Sequence, residues 1–300
     1  MNRRYFIRTL LTTAASLMLP VRSRLLHAAD NQYPDLVAVR GADPGRMLDA
    51  ALKASGGISR WVRPNMTVAI KPNIGWDVAP ERAANTNPEL IGRLVRQCKD
   101  AGAAKVYVFD HTCNNWTRSY RNSGIEAAVE QAGGIMAPAH RKGYYQSITI
   151  DNGSRLNQAV VHELLLESDV RINVPILKHH GSADLSIAMK NLMGVVWDRG
   201  YWHRSGLHRC IADFASSKLI DLNIVDAYRM LTRNGPRGVS EADVQTPKML
   251  LMSTDMVAAD AAATKIFGQQ PQTVDYIRLA HAAGLGQMDL SRLNIQRINL

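Results

Sequence analysis

The sequence predicts an α/β fold: a Rossmann-like, mostly parallel sheet flanked by helices, with a small inserted β excursion near residues 135–166. Two observations carry this. Apolar runs of strand length alternate with helix-period stretches along the chain. Several of those runs end in reactive polar residues, as strands do where an open parallel sheet meets its ligand. The 300 residues suit one such domain, and 46% apolar with 21% charged residues is an ordinary globular composition. No repeat or linker interrupts the pattern, so residues 30–300 are expected to form a single α/β domain.

Each element has a local reason. Leu36–Val39 is an apolar run of strand length, and Pro44–Ala54 is a helix that opens on proline and stops near Gly56-Gly57. Thr67–Ile70 is a buried strand leading into Lys71-Pro72-Asn73. Thr86-Asn87-Pro88-Glu89 sets a capping side chain before proline and an acid in the first turn, so a helix runs to about Asp100 and stops at Gly102. Lys105–Phe109 is the next strand, followed by Asp110-His111-Thr112-Cys113, and Ser123–Gln131 is a helix closing on Gly133-Gly134. Ile148–Ile150 and Val160–Leu166 form the β excursion. Val170–Val174 is a strand entering Pro175-Ile176-Leu177-Lys178-His179-His180, and Ala183–Met193 reads as a helix to Gly194. An aromatic loop, Trp197–His208, precedes a helix from about Cys210 to Ser217. Leu222–Val225 is a strand into Asp226, Met249–Met252 is another, and helices follow at about Met256–Phe267 and Thr273–Ala283.

Residues 1–29 read as an address. Arg3-Arg4-Tyr5-Phe6-Ile7 precedes a moderately apolar stretch, Leu10–Pro20, and small residues follow at Ala28-Ala29. This is a signal-peptide layout, too short for a bilayer span of about 20 apolar residues. The paired arginines resemble a twin-arginine export signal. The expected location is therefore the periplasm, the expected partner is the twin-arginine translocation machinery, and no stable membrane span is expected after processing. That route carries folded proteins, often with a cofactor inserted, which puts a metal ion or an organic cofactor among the expectations.

Charge and cysteines narrow the classes further. The net charge is +10, and the five arginines of residues 1–29, which include no acid, supply half of it. The mildly basic remainder has no arginine-rich arm, so no nucleic-acid partner is expected. The three cysteines Cys98, Cys113 and Cys210 can neither hold a four-cysteine cluster nor form a disulfide framework. Cys98 lies on a helix and reads as core; Cys113 and Cys210 could pair after export.

The candidate site gathers at strand ends. Lys71 and Asn73 follow one strand, Asp110 and His111 a second, Lys178, His179 and His180 a third, and Asp226 a fourth. The catalytic set read from this is Lys71, Asp110, Lys178, His179, Lys190 and His203. Asn73, His180, Asn191, Trp197, Trp202, Arg204 and Asp226 are read as substrate-binding, with Asp226 at the floor or edge of the crevice. Lys71, Lys178 and Lys190 suit a carboxylate or phosphate as point charges, and a desolvated lysine also suits a base or Schiff-base nucleophile; both roles stay open. The segment Trp197–Arg204 has the makings of a lid that stacks on a planar or sugar-like ligand and pairs with its charge. His111, Cys113 and His179 are the metal-ligand candidates, although His179 and His180, being adjacent, face opposite ways on a strand. Neither a G-x-G-x-x-G turn nor a Walker loop occurs, which argues against a conventional dinucleotide or nucleoside-triphosphate site.

Five segments together resemble the family called domain of unknown function three-six-two, found in some iron–sulfur proteins. They are Val68–Asn73, Ser168–His180, Met189–Gly194, Leu222–Ala227 and Met256–Ala263, and in order they cover about residues 65–268. Many members look like carriers of a ferredoxin-type cysteine module. This chain has no such module, so no internal iron–sulfur cluster is expected, which leaves room for a separate redox partner. The expected function is an exported redox or metal-assisted enzyme acting on a small anionic or aromatic substrate. A periplasmic binding or cofactor-maturation protein using the same crevice without turnover is the alternative.

Overall fold

Strands covered on both faces read as unbroken apolar runs, and the central strands of this chain do. The computed structural model describes residues 32–300; the expected export signal, residues 1–29, lies outside the described residues. In chain order the elements are β1 (Leu36–Arg40), α1 (Pro44–Ala54), β2 (Thr67–Pro72), α2 (Pro88–Asp100), β3 (Lys105–Val108), α3 (Trp116–Asn122), α4 (Ile125–Gln131) and β4 (Ile135–Met136). There follow β5 (Tyr145–Thr149), β6 (Gln158–His162), α5 (Glu163–Glu167), β7 (Val170–Val174), β8 (Ile176–His180), β9 (Asp184–Ser186), α6 (Ala188–Asn191), α7 (Arg199–Arg204) and α8 (Leu207–Ala215). The chain closes with β10 (Leu222–Leu231), β11 (Val244–Gln245), β12 (Met249–Ser253), α9 (Met256–Ile266), α10 (Asp275–Ala282) and β13 (Ile295–Asn299).

The main sheet runs in the order β13-β1-β12-β10-β7-β2-β3-β4. Neighbours from β10 to β4 pair in parallel, while β12 runs against both β1 and β10. One apolar core packs α1, α2 and α4 against Val68, Ile70, Val106 and Ile172 of the sheet. The other face is covered by α8, α9 and α10 and by the β5–β6 ribbon. The α/β class with a mostly parallel, helix-flanked sheet is the one the sequence predicts.

One strand break builds the site's wall. Pro175 has no N–H to give the sheet, so the strand that begins as β7 breaks there and resumes as β8. β10 is ten residues long and serves both pieces, pairing β7 at Leu222 and Asn223 and β8 at Asp226 and Leu231. β8 then pairs antiparallel with β9, Lys178 opposite Ser186. The resulting hairpin stands beyond the carboxyl ends of β2, β3 and β7.

Three elements differ from the sequence reading. Ala183–Met193, expected as a helix, is β9, a single helical turn and a 3₁₀ turn at Leu192–Val195. The buried Ala183, Leu185 and Ile187 alternate with a period of two, the strand period. Val160–Leu166, expected as a strand, turns helical at Glu163 because the His162 ring caps the Leu164 N–H (3.2 Å). The aromatic loop contains α7, capped by Asp198 accepting from the Tyr201 N–H (3.1 Å). Among the described residues no helix is long and apolar enough to cross a membrane.

Candidate active site

Lys71 ends β2 fully buried, and its ammonium makes an ion pair with Asp110 Oδ1 just beyond β3 (3.0 Å). The same nitrogen donates to Asn191 Oδ1 (3.0 Å) and to the Pro72 carbonyl (2.5 Å). Asp110 Oδ2 accepts from the Ile74 N–H (2.6 Å), and the Tyr120 hydroxyl donates to the Asp110 carbonyl (3.0 Å). Both partners of the pair are therefore held by backbone as well as by each other. Burial pulls the Lys71 pKa below its ordinary value, and the neighbouring Asp110 offsets part of that.

Asparagines tie the strand ends together. Asn191 Oδ1 also accepts from Asn73 Nδ2 (2.9 Å), while Asn191 Nδ2 donates to Asn173 Oδ1 (2.9 Å). Asn173 Nδ2 reaches Asn223 Oδ1 (3.0 Å) and the Ala188 carbonyl (3.0 Å). This network crosses β2, β7 and β10 and locks α6 to the sheet edge. A single helical turn is not stable alone. Here Asp260 of α9 accepts from the Ala188 and Met189 N–H groups (2.6 and 3.1 Å) and holds it.

These residues line one cavity of about 520 Å³. Lys71, Asn73, Asp110, Lys178, His180, Lys190, Asn191 and His203 of the predicted set line it, as do His111 and Cys113. Lys71, Lys178, Lys190 and Arg199 face Asp110, the one carboxylate in the lining among the described residues. Lys178 Nζ donates to Asn73 Oδ1 (3.0 Å) and the Ala84 carbonyl, and burial brings its pKa down to about 7. Burial likewise brings Lys190 down to about 8. The pocket is rich in basic side chains.

Two histidines in the lining have opposite tautomers. The Ser182 N–H donates to His180 Nδ1 (3.1 Å), so the proton of that neutral ring is on Nε2. Burial, then the charges of Lys190 and Lys178, hold the His180 pKa far below the usual range. His111 Nδ1 instead donates to the Val196 carbonyl (3.0 Å), which leaves Nε2 as an acceptor. Burial and Arg199 lower the His111 pKa, keeping it neutral near pH 7. Burial, Lys190 and Arg199 also lower His203.

Five predicted residues lie elsewhere. His179 points away from the cavity, and its Nδ1 accepts from the Gly235 N–H (3.0 Å); alternation along β8 sends it to the opposite face from His180. Trp197 stacks behind His111 (centroids 5.1 Å apart) rather than facing the cavity. Trp202 is buried against Phe214 (5.3 Å), as core. Arg204 is exposed outside the lining. Asp226 is buried and accepts from the N–H groups of Asn87 (2.8 Å) and Tyr228 (3.0 Å), anchoring the start of α2.

Sequence reading missed Arg199 and Trp76. Arg199 follows the cap residue Asp198, and its guanidinium donates to the carbonyls of His111 (2.7 Å) and Thr112 (2.9 Å) and approaches Cys113 Sγ (3.5 Å). The metal-ligand candidates do not converge, since His179 faces away and Arg199 already stands beside Cys113. Among the described residues no group of three His, Cys, Asp or Glu side chains could hold a metal ion. Cys113 and Cys210 are free thiols, the first exposed and the second buried in α8.

The family profile described as domain of unknown function (DUF362) matches residues 68–265. The chain belongs to the DUF362 family. A thylakoid-associated protein of Synechocystis sp. is 25% identical over 246 residues, covering 79% of this chain and 74% of that protein. Among solved structures, the lactate racemase apoprotein of Thermoanaerobacterium thermosaccharolyticum is similar over 79% of this chain and 58% of its own, with 11% identity and a TM-score of 0.49. A Thermotoga maritima protein is similar over 55% of this chain and 46% of its own, with 9% identity and a TM-score of 0.36. This chain thus spans less than two thirds of either solved structure. Every residue of the cavity lining, from Lys71 to Pro236, falls within the DUF362 segment.

Gly194 is where this DUF362 site has least room. A Cβ there would stand 1.9 Å from Asp110 Oδ1 and 2.8 Å from Lys71 Nζ. Gly194→Ala should therefore destabilise the fold by about 1–3 kcal/mol, through forced displacement of the pair. Gly200→Ala is the control, because its Cβ would press only on the flexible tip of Arg204 (3.0 Å) and make an ordinary contact with Asp198 Oδ1 (3.5 Å). Chemical denaturation of both variants checks this, and equal midpoints would contradict it.

Proposed function

We propose that this DUF362 protein is an exported enzyme that binds a small, multiply anionic substrate in the cationic pocket and performs acid–base chemistry on it. The supporting observation is the excess of basic side chains: buried Lys71, Lys178 and Lys190 and half-buried Arg199 share one cavity with a single carboxylate. Burying unneutralised cations is costly, and a bound carboxylate or phosphate relieves that cost. His111 Nε2 is poised to accept a proton, and His180 Nε2–H to donate a hydrogen bond where negative charge develops. A bare metal cation suits this pocket poorly, because the lining is positive and its donors are already engaged. Electrons for a redox reaction would come from a separate partner.

Anion binding is directly measurable. Citrate, phosphate and 2-oxoglutarate should raise the melting temperature in a concentration-dependent way, while uncharged analogues should not. Lys178→Met and Arg199→Met should each weaken binding about 10–100-fold, the loss of one charge-assisted contact. Anions that leave the melting temperature unchanged would defeat the reading.

Export is proposed on residues outside the described structure. Changing Arg3 and Arg4 to Lys should hold the precursor in the cytoplasm, read by fractionation against the periplasm. Normal export of that double variant would remove the twin-arginine assignment.

A further inference from the structure

The cavity's lysines are not equivalent. Lys71 has the acceptors Asp110, Asn191 and the Pro72 carbonyl, and Lys178 has Asn73 and the Ala84 carbonyl. Acceptors around an amine tether it and occupy its N–H groups. Lys190 lines the same cavity at 9% exposure with no hydrogen-bond partner among the described residues. Its amine nitrogen is not among the fully buried side-chain atoms, so it opens on the cavity with no protein partner in the way of a ligand. The other cations of the lining, Arg199 above all, oppose a further positive charge at Lys190.

We propose that Lys190 is the nucleophilic amine of this pocket and condenses with the ketone of a small 2-oxo acid, an inference that rests on the anion-binding reading above. The pocket supplies what such a ligand needs. Arg199 offers positive charge to the carboxylate, Lys178 lines the same cavity, and the His180 Nε2–H supports the oxyanion. The C–N bond forms as the carbonyl π pair moves onto oxygen. A proton passes from nitrogen to that oxygen by way of His111 Nε2. A second proton, from solvent, lets the oxygen leave as water while the nitrogen lone pair closes the protonated C=N bond. Amine, ketone and one proton thus become an iminium and water, with no change in oxidation state.

Borohydride reduction tests this on the purified, processed chain with pyruvate or 2-oxoglutarate as the probe. Reduction should leave a stable adduct on the peptide containing Lys190, blocking tryptic cleavage there. Succinate, an anion without a ketone, should suppress the adduct by competition. Labelling should level off above about pH 8, where the Lys190 amine is neutral, whereas exposed lysines go on gaining reactivity. Lys190→Arg keeps the charge and should lose the adduct while still binding succinate. Adducts spread over exposed lysines such as Lys53 and Lys248 would overturn the proposal. So would 2-oxoglutarate stabilisation without any adduct at Lys190, although anion binding would then stand. If neither stabilisation nor adduct appears, both readings fall.

Discussion

Asp110→Ala is expected to cost about 3–5 kcal/mol of folding stability. The substitution removes the only carboxylate facing the buried Lys71 ammonium among the lining residues. It also orphans the Ile74 N–H, which has Asp110 Oδ2 at 2.6 Å. Water cannot easily replace these contacts, because both partners are almost completely buried. Asp110→Asn keeps an acceptor for Ile74 and should lose less. Lys71→Met combined with Asp110→Leu should recover much of the loss, since an apolar pair leaves no isolated charge behind. Urea denaturation of the two singles and the double completes the cycle. A loss below about 1 kcal/mol for Asp110→Ala would show the pair to be solvated like a surface ion pair.

The strand-end residues were legible because their logic is local. A buried apolar run followed by Lys-Pro-Asn or Asp-His places those side chains at the carboxyl edge, whatever else the chain does. Lys190 was legible only in identity. The sequence suggests a long helix facing the edge, whereas the residue rides on one turn held by Asp260, seventy positions later in the chain. No local signal reports a cap of that kind. His179 and His180 illustrate a second limit. Adjacency says that one of them faces the cavity, but the choice depends on the register of β8 against β9 and β10. Asp226 shows a third, since an aspartate that follows a strand looks the same whether it serves a ligand or two backbone N–H groups. Asn173 and Asn223 carry a usable signal. An asparagine inside an otherwise apolar buried strand must find partners, and here the partners form the network beneath the site.

Stability should rise as the pH is taken from about 7.5 to 9, and the same lysines that define the pocket are the reason. Lys178, at about 7, and Lys190, at about 8, are lowered by burial from an unfolded value near 10.4. Between their folded and unfolded values the unfolded chain binds more protons, so the folded state gains as pH increases. Two such groups supply a gain on the order of a few kcal/mol across the window. Asp260, raised to about 8 by burial, works the other way below that pH, because the folded state holds its proton more tightly. Above about pH 9 the buried Cys98 thiol, pushed up to about 12, opposes the lysines, and the rise should slow. Lys178→Met combined with Lys190→Met should abolish the rise. A saturating dianion should flatten it as well, since a bound negative charge restores both ammonium groups. Denaturant midpoints at half-unit pH steps read the slope, and a wild-type midpoint that falls steadily from pH 7.5 to 9 would mean that these lysines are hydrated and charged in the folded protein.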